Sequence, residues 1–238
     1  MSNQRTFRLF GRVVKLSFTV LIFLICGILL WRVFSSGDPA SMSRLSINEP
    51  LREAYRKHGD GLILQYQNQN PSITQADHNR GYFSVTQYVF IPQANQVQLV
   101  FRYNNSTIQH LKEDKGLSEL PSKDDDLFDV SLVVTRDLTP NNAKDNEKEE
   151  FIAKERILPT GGGCVRDTTS LYTYYRYTFD GVTVEDVTLG VFVDVYYVGD
   201  LNYEEKAYGT LCIYNSAYDW ITRGLTGEEI GALKQKEN

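Results

Sequence analysis

The sequence of 238 residues is poor in the residues that most often build reactive or metal-binding centres. It has three cysteines and three histidines, His58, His78 and His110, and these form neither a CxxC nor an HExxH pattern. Transition-metal sites in proteins depend on such closely spaced ligands. The sequence also lacks a G-x-S-x-G elbow, a P-loop and the protein-kinase motifs. We therefore predict no catalytic residue, no metal ligand and no cofactor.

The most informative stretch is the uncharged apolar run LSFTVLIFLICGILLW at residues 16–31. As a helix, this run covers roughly 24 Å, and its apolar flanks extend it to roughly 33 Å. The hydrocarbon core of a bilayer is about 30 Å thick. Lys15 and Arg32 lie near the ends, where long side chains reach the interface, and Trp31 suits the interfacial belt. We predict a transmembrane helix over residues 16–34.

Two other kinds of segment share this basic start and apolar centre. One is a cleavable secretory signal, for which residues 35–37, SSG, offer a cleavage site, although the bulky WRVF interrupts the approach to it. The other is a lipoprotein signal with lipidation at Cys26, but the bulky Ile25 precedes that cysteine and the apolar run continues through Leu30. We interpret Cys26 as a small apolar residue of the membrane helix.

Charge sets the expected orientation of this helix. Three arginines and Lys15 precede the apolar run without any acidic residue, which predicts a cytoplasmic amino terminus. Residues 35–238 hold 20 basic and all 30 acidic residues, a formal charge of −10. We therefore expect a single-pass protein of the cell membrane with an acidic extracytoplasmic domain. Neither nucleic acid nor an anionic lipid surface is an expected partner of this acidic domain, because both contacts need positive charge.

The rest of the chain divides by composition. Residues 1–15 are a short cytoplasmic tail, and residues 35–60 are a polar stalk followed by a short helix. Asn48 is the predicted cap of that helix, and Gly59 is its predicted end. Residues 61–215 form a β-rich domain, and residues 216–238 are a carboxyl-terminal segment whose short helix Thr226 and Glu229 cap.

Alternation of apolar and polar residues predicts the fold class. Strands are expected over residues 62–67, 82–91, 96–103, 128–135, 171–179, 187–198 and 208–214. Residues 151–158 fit either an edge strand or a helical turn, and Ser106 with Gln109 has the spacing of a capping box before a short helix. Short strands separated by turns, with few helices, predict a mainly β protein: a transmembrane helix followed by an antiparallel β-sandwich-like domain.

Two stretches carry a resemblance to known sequences. YFSVTQYVFIPQANQVQLVFRYNNSTIQHLKEDKGL (82–117) and YTYYRYTFDGVTVEDVTLGVFVDVYYVGD (172–200) resemble a family of uncharacterised bacterial single-pass membrane proteins. This resemblance extends over most of the chain. It implies placement in a bacterial membrane, and it implies no activity, ligand or catalytic residue.

Three weaker patterns suggest chemistry in the β-rich domain. Asp124–Asp126, with Asp129, Asp137 and Asp200, is a carboxylate set of the kind that calcium prefers, but it lacks EF-hand spacing. Tyrosines are abundant, and exposed rings stack on sugars, but core packing explains most tyrosines. The tyrosines considered for a glycan site are Tyr172, Tyr174, Tyr196, Tyr203 and Tyr208. Cys164 and Cys212 would both lie outside the membrane, where a disulfide is permitted.

Two hypotheses for the function follow. The preferred one is a non-enzymatic, membrane-anchored binding or scaffolding domain, whose partners are the lipid bilayer and an envelope protein or glycan. The alternative is a membrane-tethered hydrolase of envelope polymers, with Asp194 or Glu185 as acid and base. An enzyme of that kind needs two carboxylates that face each other across a cleft, whereas a binding module needs an exposed apolar or aromatic patch.

Overall fold

A computed structural model describes most of the chain: residues 2–36, 38–67, 73–75, 83–137, 152–160, 164–202, 205–215 and 220–235. Its contacts divide the chain into two compact units, Met1–Gly37 and Asp38–Asn238.

The first unit is a single helix, α1 (Ser2–Ser36). Its segment Val14–Trp31 is apolar, and no part of that segment is buried. Helical order extends through the predicted tail to Ser2, because residues 2–13 contain no proline and only one glycine. α1 is therefore long and apolar enough to span a bilayer.

The second unit contains eleven described strands in two antiparallel sheets, together with five short helices. The helices are α2 (Ala40–Ser43), α3 (Glu49–His58), α4 (Thr107–Lys115), α5 (Asp186–Leu189) and α6 (Gly227–Lys234). The strands are β1 (Ile63–Gln67), β2 (Ile73–Gln75), β3 (Phe83–Ile91), β4 (Gln96–Asn104), β5 (Phe128–Asp137), β6 (Ile152–Ile157), β7 (Val165–Thr168), β8 (Tyr172–Asp180), β9 (Gly190–Tyr197), β10 (Gly209–Asn215) and β11 (Trp220–Gly224).

The first sheet has the strand order β11-β1-β3-β4-β8-β7, and the second has the order β2-β10-β9-β5-β6. The main core consists of buried side chains from β3, β4 and β8 of the first sheet and from β5, β9 and β10 of the second. These are the inward positions of the alternating sequences, such as Val130, Leu132 and Val134 of β5. The domain is therefore sandwich-like, as the sequence predicted.

One end of this core is almost entirely aromatic. The rings of Phe83, Tyr103 and Phe128 pack with centroids 5.0 Å apart in edge-to-face pairs, Phe83–Phe128 and Tyr103–Phe128. Tyr175 stacks 6.2 Å from Tyr103 and 5.9 Å from Tyr177. Such pairs stabilise a core beyond the area that they bury, so these tyrosines are accounted for by packing.

The outer face of the first sheet is also covered. Leu51 and Ala54 of α3 pack with Leu64 of β1, Ile91 of β3 and Leu233 of α6 in a second core. A third, small cluster joins Met42 of α2 to Val100 and Tyr174. Residues 38–46, expected as a stalk, therefore lie against the sheet, because Met42 and Leu45 supply apolar side chains that a solvated stalk would lack.

Beneath this cover lies a network of buried amides. Gln96 and Gln98 are buried, and the Gln96 amide donates to Asn48 (3.0 Å) and Asp180 (2.7 Å). The side-chain amide of Gln98 forms two hydrogen bonds with the main chain of Ser46. It accepts from the Ser46 N–H (2.7 Å) and donates to the Ser46 carbonyl (2.8 Å). Their hydrogen bonds satisfy the two glutamines, which explains why polar residues are tolerated under the cover.

The fold class is confirmed: the protein is mainly β, with antiparallel sheets, a few helices and one apolar amino-terminal helix. In detail, residues 152–157 form a strand, and residues 186–189 are a helical turn rather than the start of a long strand. β2, β7 and β11 have three to five residues each, too few for alternation to reveal. The predicted Ser106 cap is not formed, because Ser106 is itself helical, with φ −68° and ψ −19°.

Candidate functional site

Asp194 lies on the outer face of the second sheet, as its sequence pattern predicted. One carboxylate oxygen accepts from the Thr210 hydroxyl at 2.6 Å, and the other pairs with the Tyr196 hydroxyl at 3.4 Å. The Ser131 hydroxyl in turn lies 3.4 Å from the Tyr196 oxygen. Both oxygens of Asp194 are thus bonded within the sheet, an arrangement that suits a structural carboxylate.

Cationic side chains cover the aromatic rings of the same face. The Arg156 guanidinium lies 4.4 Å above the Tyr196 ring, and Lys154 lies 5.9 Å above the Phe192 ring. Both cations come from β6 and reach across the neighbouring strand β5 to rings of β9. Tyr196 is consequently buried, so its ring is not an open aromatic platform.

Glu185, the other candidate of the hydrolase hypothesis, is exposed immediately before α5. The buried carboxylate of that turn is the next residue, Asp186, which is 1% exposed. Asp186 accepts from the N–H and the hydroxyl of Thr183 (2.8 and 2.9 Å) and from the Arg136 guanidinium. Burial opposes its ionised form, but the hydrogen bonds from Arg136 and Thr183 outweigh this and lower the pKa of Asp186.

An internal cation holds the acidic loop that the sequence suggested for calcium. The Arg166 guanidinium donates to the carbonyls of Lys123, Asp124 and Asp125 and lies 3.4 Å from an Asp126 carboxylate oxygen. The chain itself, through Arg166, therefore supplies the cation that these loop oxygens bind. In the part of the chain that the structure describes, no group of three acidic, histidine or cysteine side chains has metal-binding geometry.

The tyrosines considered for glycan binding are mostly inside the domain. Tyr174, Tyr196 and Tyr208 are buried, and Tyr172 is half-buried beneath Arg102, whose guanidinium lies 4.3 Å from its ring. Tyr203 lies outside the described residues. These rings complete cores and cation–π pairs, so none of the four described tyrosines presents an open face for a sugar.

The cysteines are all free: Cys26 and Cys164 are exposed and Cys212 is buried. A disulfide between Cys164 and Cys212 is therefore not formed. Burial raises the pKa of the Cys212 thiol, which keeps it in the neutral and less reactive form. Of the other residues named above, His78 lies outside the described residues.

A cleft lies between α3 and the end of α6, and we call it the α3–α6 cleft. Its volume is about 550 Å³, and the side chains that line it include Glu49, Arg52, Tyr55, Arg56, Leu233 and Lys234. Arg56 pairs with Glu49 at 2.6 Å, and the Arg52 guanidinium donates to the Leu233 and Gln235 carbonyls at 3.1 and 2.7 Å.

Local sequence explains one wall of this cleft. Glu49, Arg52 and Arg56 are spaced by three and four residues, so they share one face of α3. Leu51 and Ala54 turn the opposite face into the core. The cleft is not predictable from the sequence, because nothing in the helical spacing shows that α6 ends beside this charged face.

Comparisons of the chain with protein-family models, with curated proteins and with solved structures give no significant match. The resemblance to a bacterial membrane family therefore stays a prediction.

Proposed function

We propose that this protein is a membrane-anchored, extracytoplasmic binding or scaffolding domain. The observation that carries the proposal is the exposed apolar surface of Val14–Trp31, an 18-residue helical segment with no buried part. Exposed apolar surface of that size is unfavourable in water and favourable in a bilayer. The basic residues before it and the acidic domain after it favour an outward-facing domain.

The state of the candidate carboxylates favours binding over hydrolysis. Asp194 has both oxygens engaged by hydroxyl groups of its own sheet, and Glu185 lies in an exposed turn at the start of α5. A glycosidase mechanism needs one carboxyl group kept protonated and a second one free to act as base or nucleophile. Neither residue lines the α3–α6 cleft or the cleft between residues 40–47 and α6.

Membrane insertion is tested with the full chain carrying a carboxyl-terminal tag in bacterial cells. We expect the chain to resist alkaline extraction from membranes, and we expect external protease to remove the tag from spheroplasts. Leu24→Arg combined with Ile28→Arg should release it, since each central arginine costs about 2.5–3.5 kcal/mol of insertion free energy. The matched control is Leu201→Arg, a change at a leucine that is 95% exposed outside the helix. A tag protected from protease, or a product shortened near residue 37 and free in the medium, would contradict the proposal.

The choice between binding and hydrolysis needs a separate assay. The purified chain is incubated with isolated cell envelopes, which are then sedimented, and soluble fragments released from the envelope are measured. A binding domain sediments with the envelope and releases nothing. Release that Asp194→Asn or Glu185→Gln abolishes would instead establish the hydrolase.

A further inference from the structure

We propose that the α3–α6 cleft binds a phosphate-bearing anion through Arg52, Arg56 and Lys234. This inference goes beyond the proposed function and does not depend on the membrane anchor, because every residue involved belongs to the second unit. A free phosphate and a phospholipid headgroup share the chemistry that the cleft recognises.

The described lining of the α3–α6 cleft is locally basic. Among the described residues, Arg52, Arg56 and Lys234 line the cleft together with one carboxylate, that of Glu49. The surrounding chain is acidic, with a formal charge of −10 over residues 35–238. These three cations share a concave surface, where the field of like charges is focused, so the cleft attracts an anion although the domain as a whole is acidic.

Arg52 has a hydrogen-bond donor without an acceptor among the described residues. The carbonyls of Leu233 and Gln235 fix the Arg52 guanidinium through Nη1. Its Nε, by contrast, is buried and has no hydrogen-bond partner among the described residues. Buried N–H groups without an acceptor are rare in folded proteins. Arg52 therefore has one buried donor for which the described residues supply no acceptor.

The Glu49 carboxylate competes with a bound anion for Arg56. Arg56 and Glu49 form their ion pair in the open, with side chains 65% and 53% exposed, and such pairs are weak. A phosphate group offers several oxygens to a planar guanidinium fork and can displace one solvated carboxylate. A cleft of about 550 Å³ also falls in the size range of small-molecule sites.

Titration calorimetry tests the site with the full chain in a non-ionic detergent, using inorganic phosphate at an ionic strength held constant with chloride. We expect one saturable site per chain. Arg56→Gln should weaken binding about tenfold or more, the usual effect of removing a charge-assisted hydrogen bond. Glu49→Gln should strengthen binding several-fold, because it removes the competing carboxylate and frees Arg56. Arg56 is exposed, so its loss should leave the melting temperature of the domain nearly unchanged.

The matched control is Arg44→Gln, which removes an equally exposed arginine that pairs with Glu228 at 3.2 Å outside the cleft. This variant should bind phosphate as the wild type does. A second titration with glycerophosphoglycerol, the soluble head of phosphatidylglycerol, separates the sources: comparable affinity indicates a lipid headgroup, and binding of inorganic phosphate alone indicates a free phosphate. Absence of saturable binding to both ligands, an equal loss in Arg44→Gln, or weaker binding in Glu49→Gln would overturn the proposal.

Discussion

Replacing Asp186 by alanine tests whether the buried carboxylate is structural. The residue is 1% exposed, and three donors converge on it: the N–H and hydroxyl of Thr183 and the Arg136 guanidinium. Arg136 also pairs with Glu155, so it keeps one acidic partner after the change. The substitution therefore removes the carboxylate without leaving the guanidinium unpaired.

The expected cost follows from these contacts. Breaking a buried ion pair by removing one partner costs about 3–5 kcal/mol when the remaining charge has no other partner. Because Glu155 still compensates Arg136, we place the loss for Asp186→Ala near the lower limit, at about 3 kcal/mol. For a domain of this size, that loss lowers the melting temperature by roughly 6–12 °C.

Urea unfolding of the fragment 38–238, followed by tyrosine and tryptophan fluorescence, measures this loss. The fragment contains one whole compact unit with its own cores. Asp186→Asn is the informative companion, since it keeps an acceptor for Thr183 and removes only the charge. We expect its loss to be smaller than that of Asp186→Ala.

The contribution of Asp186 to the free energy of unfolding should depend on pH. Because the pKa of Asp186 is lowered in the folded state, the carboxylate stabilises the fold above its unfolded pKa, and this contribution disappears as the pH falls through the folded pKa. The difference in unfolding free energy between wild type and Asp186→Ala should thus be complete at pH 7 and shrink in acid, below the ordinary aspartate pKa of 3.8. A loss under about 0.5 kcal/mol at pH 7, the range of ordinary surface changes, would refute the structural role.

Two further predictions concern packing and backbone conformation in the same fragment. Met42→Ala should cost about 2–4 kcal/mol in urea unfolding, because this side chain is 1% exposed between Val100 and Tyr174; a solvated segment 38–46 would instead show no loss. Gly116→Ala should destabilise by about 1–2 kcal/mol, because Gly116 ends α4 with φ +63°. Gly231→Ala, at an open position inside α6, should stabilise by about 0.5–1 kcal/mol, and equal signs for the two changes would contradict the assigned backbone conformations.

Local sequence signals predicted those features that depend on neighbouring residues. Asn48 caps α3 by accepting from the Leu51 N–H at 3.3 Å, and Gly59 ends that helix with φ 55°. Thr226 and Glu229 form both hydrogen bonds of the predicted capping box. Caps are readable from sequence because the residues that form them lie within one helical turn.

Alternation alone did not show what lies on the second face of a strand. Gln96 and Gln98 alternate with Val97 and Leu99, a pattern typical of a half-buried strand, yet both glutamines are buried. Their cover comes from residues about 50 positions earlier, Ser46 and Asn48, which supply the partners of the amides. A polar face satisfied by a distant segment has the same sequence pattern as a solvated one.

The acidic loop shows the same limit for a site. Three consecutive aspartates suggested a cation site, and the cation that the loop binds is Arg166, about 40 residues further along the chain. The sequence predicted carboxylate ligands, whereas the contacts of Arg166 are the main-chain carbonyls of Lys123, Asp124 and Asp125 and a single carboxylate, that of Asp126. It could not distinguish a metal ion from a side chain, because only the fold brings the start of β7 beside this loop.

The placement of the α3–α6 cleft follows from the pairing of two strands at the edge of the first sheet. β1 and β11 are antiparallel, so Ile63, at the start of β1, lies opposite Gly224, at the end of β11. α3 immediately precedes the first of these strands and α6 immediately follows the second, so both helices lie beside the same sheet edge. The Arg52 contacts with the Leu233 and Gln235 carbonyls then tie the two helices together. Because the cleft needs both the pairing of β11 with β1 and the packing of Leu233 against α3, an anion bound there would stabilise both contacts by mass action.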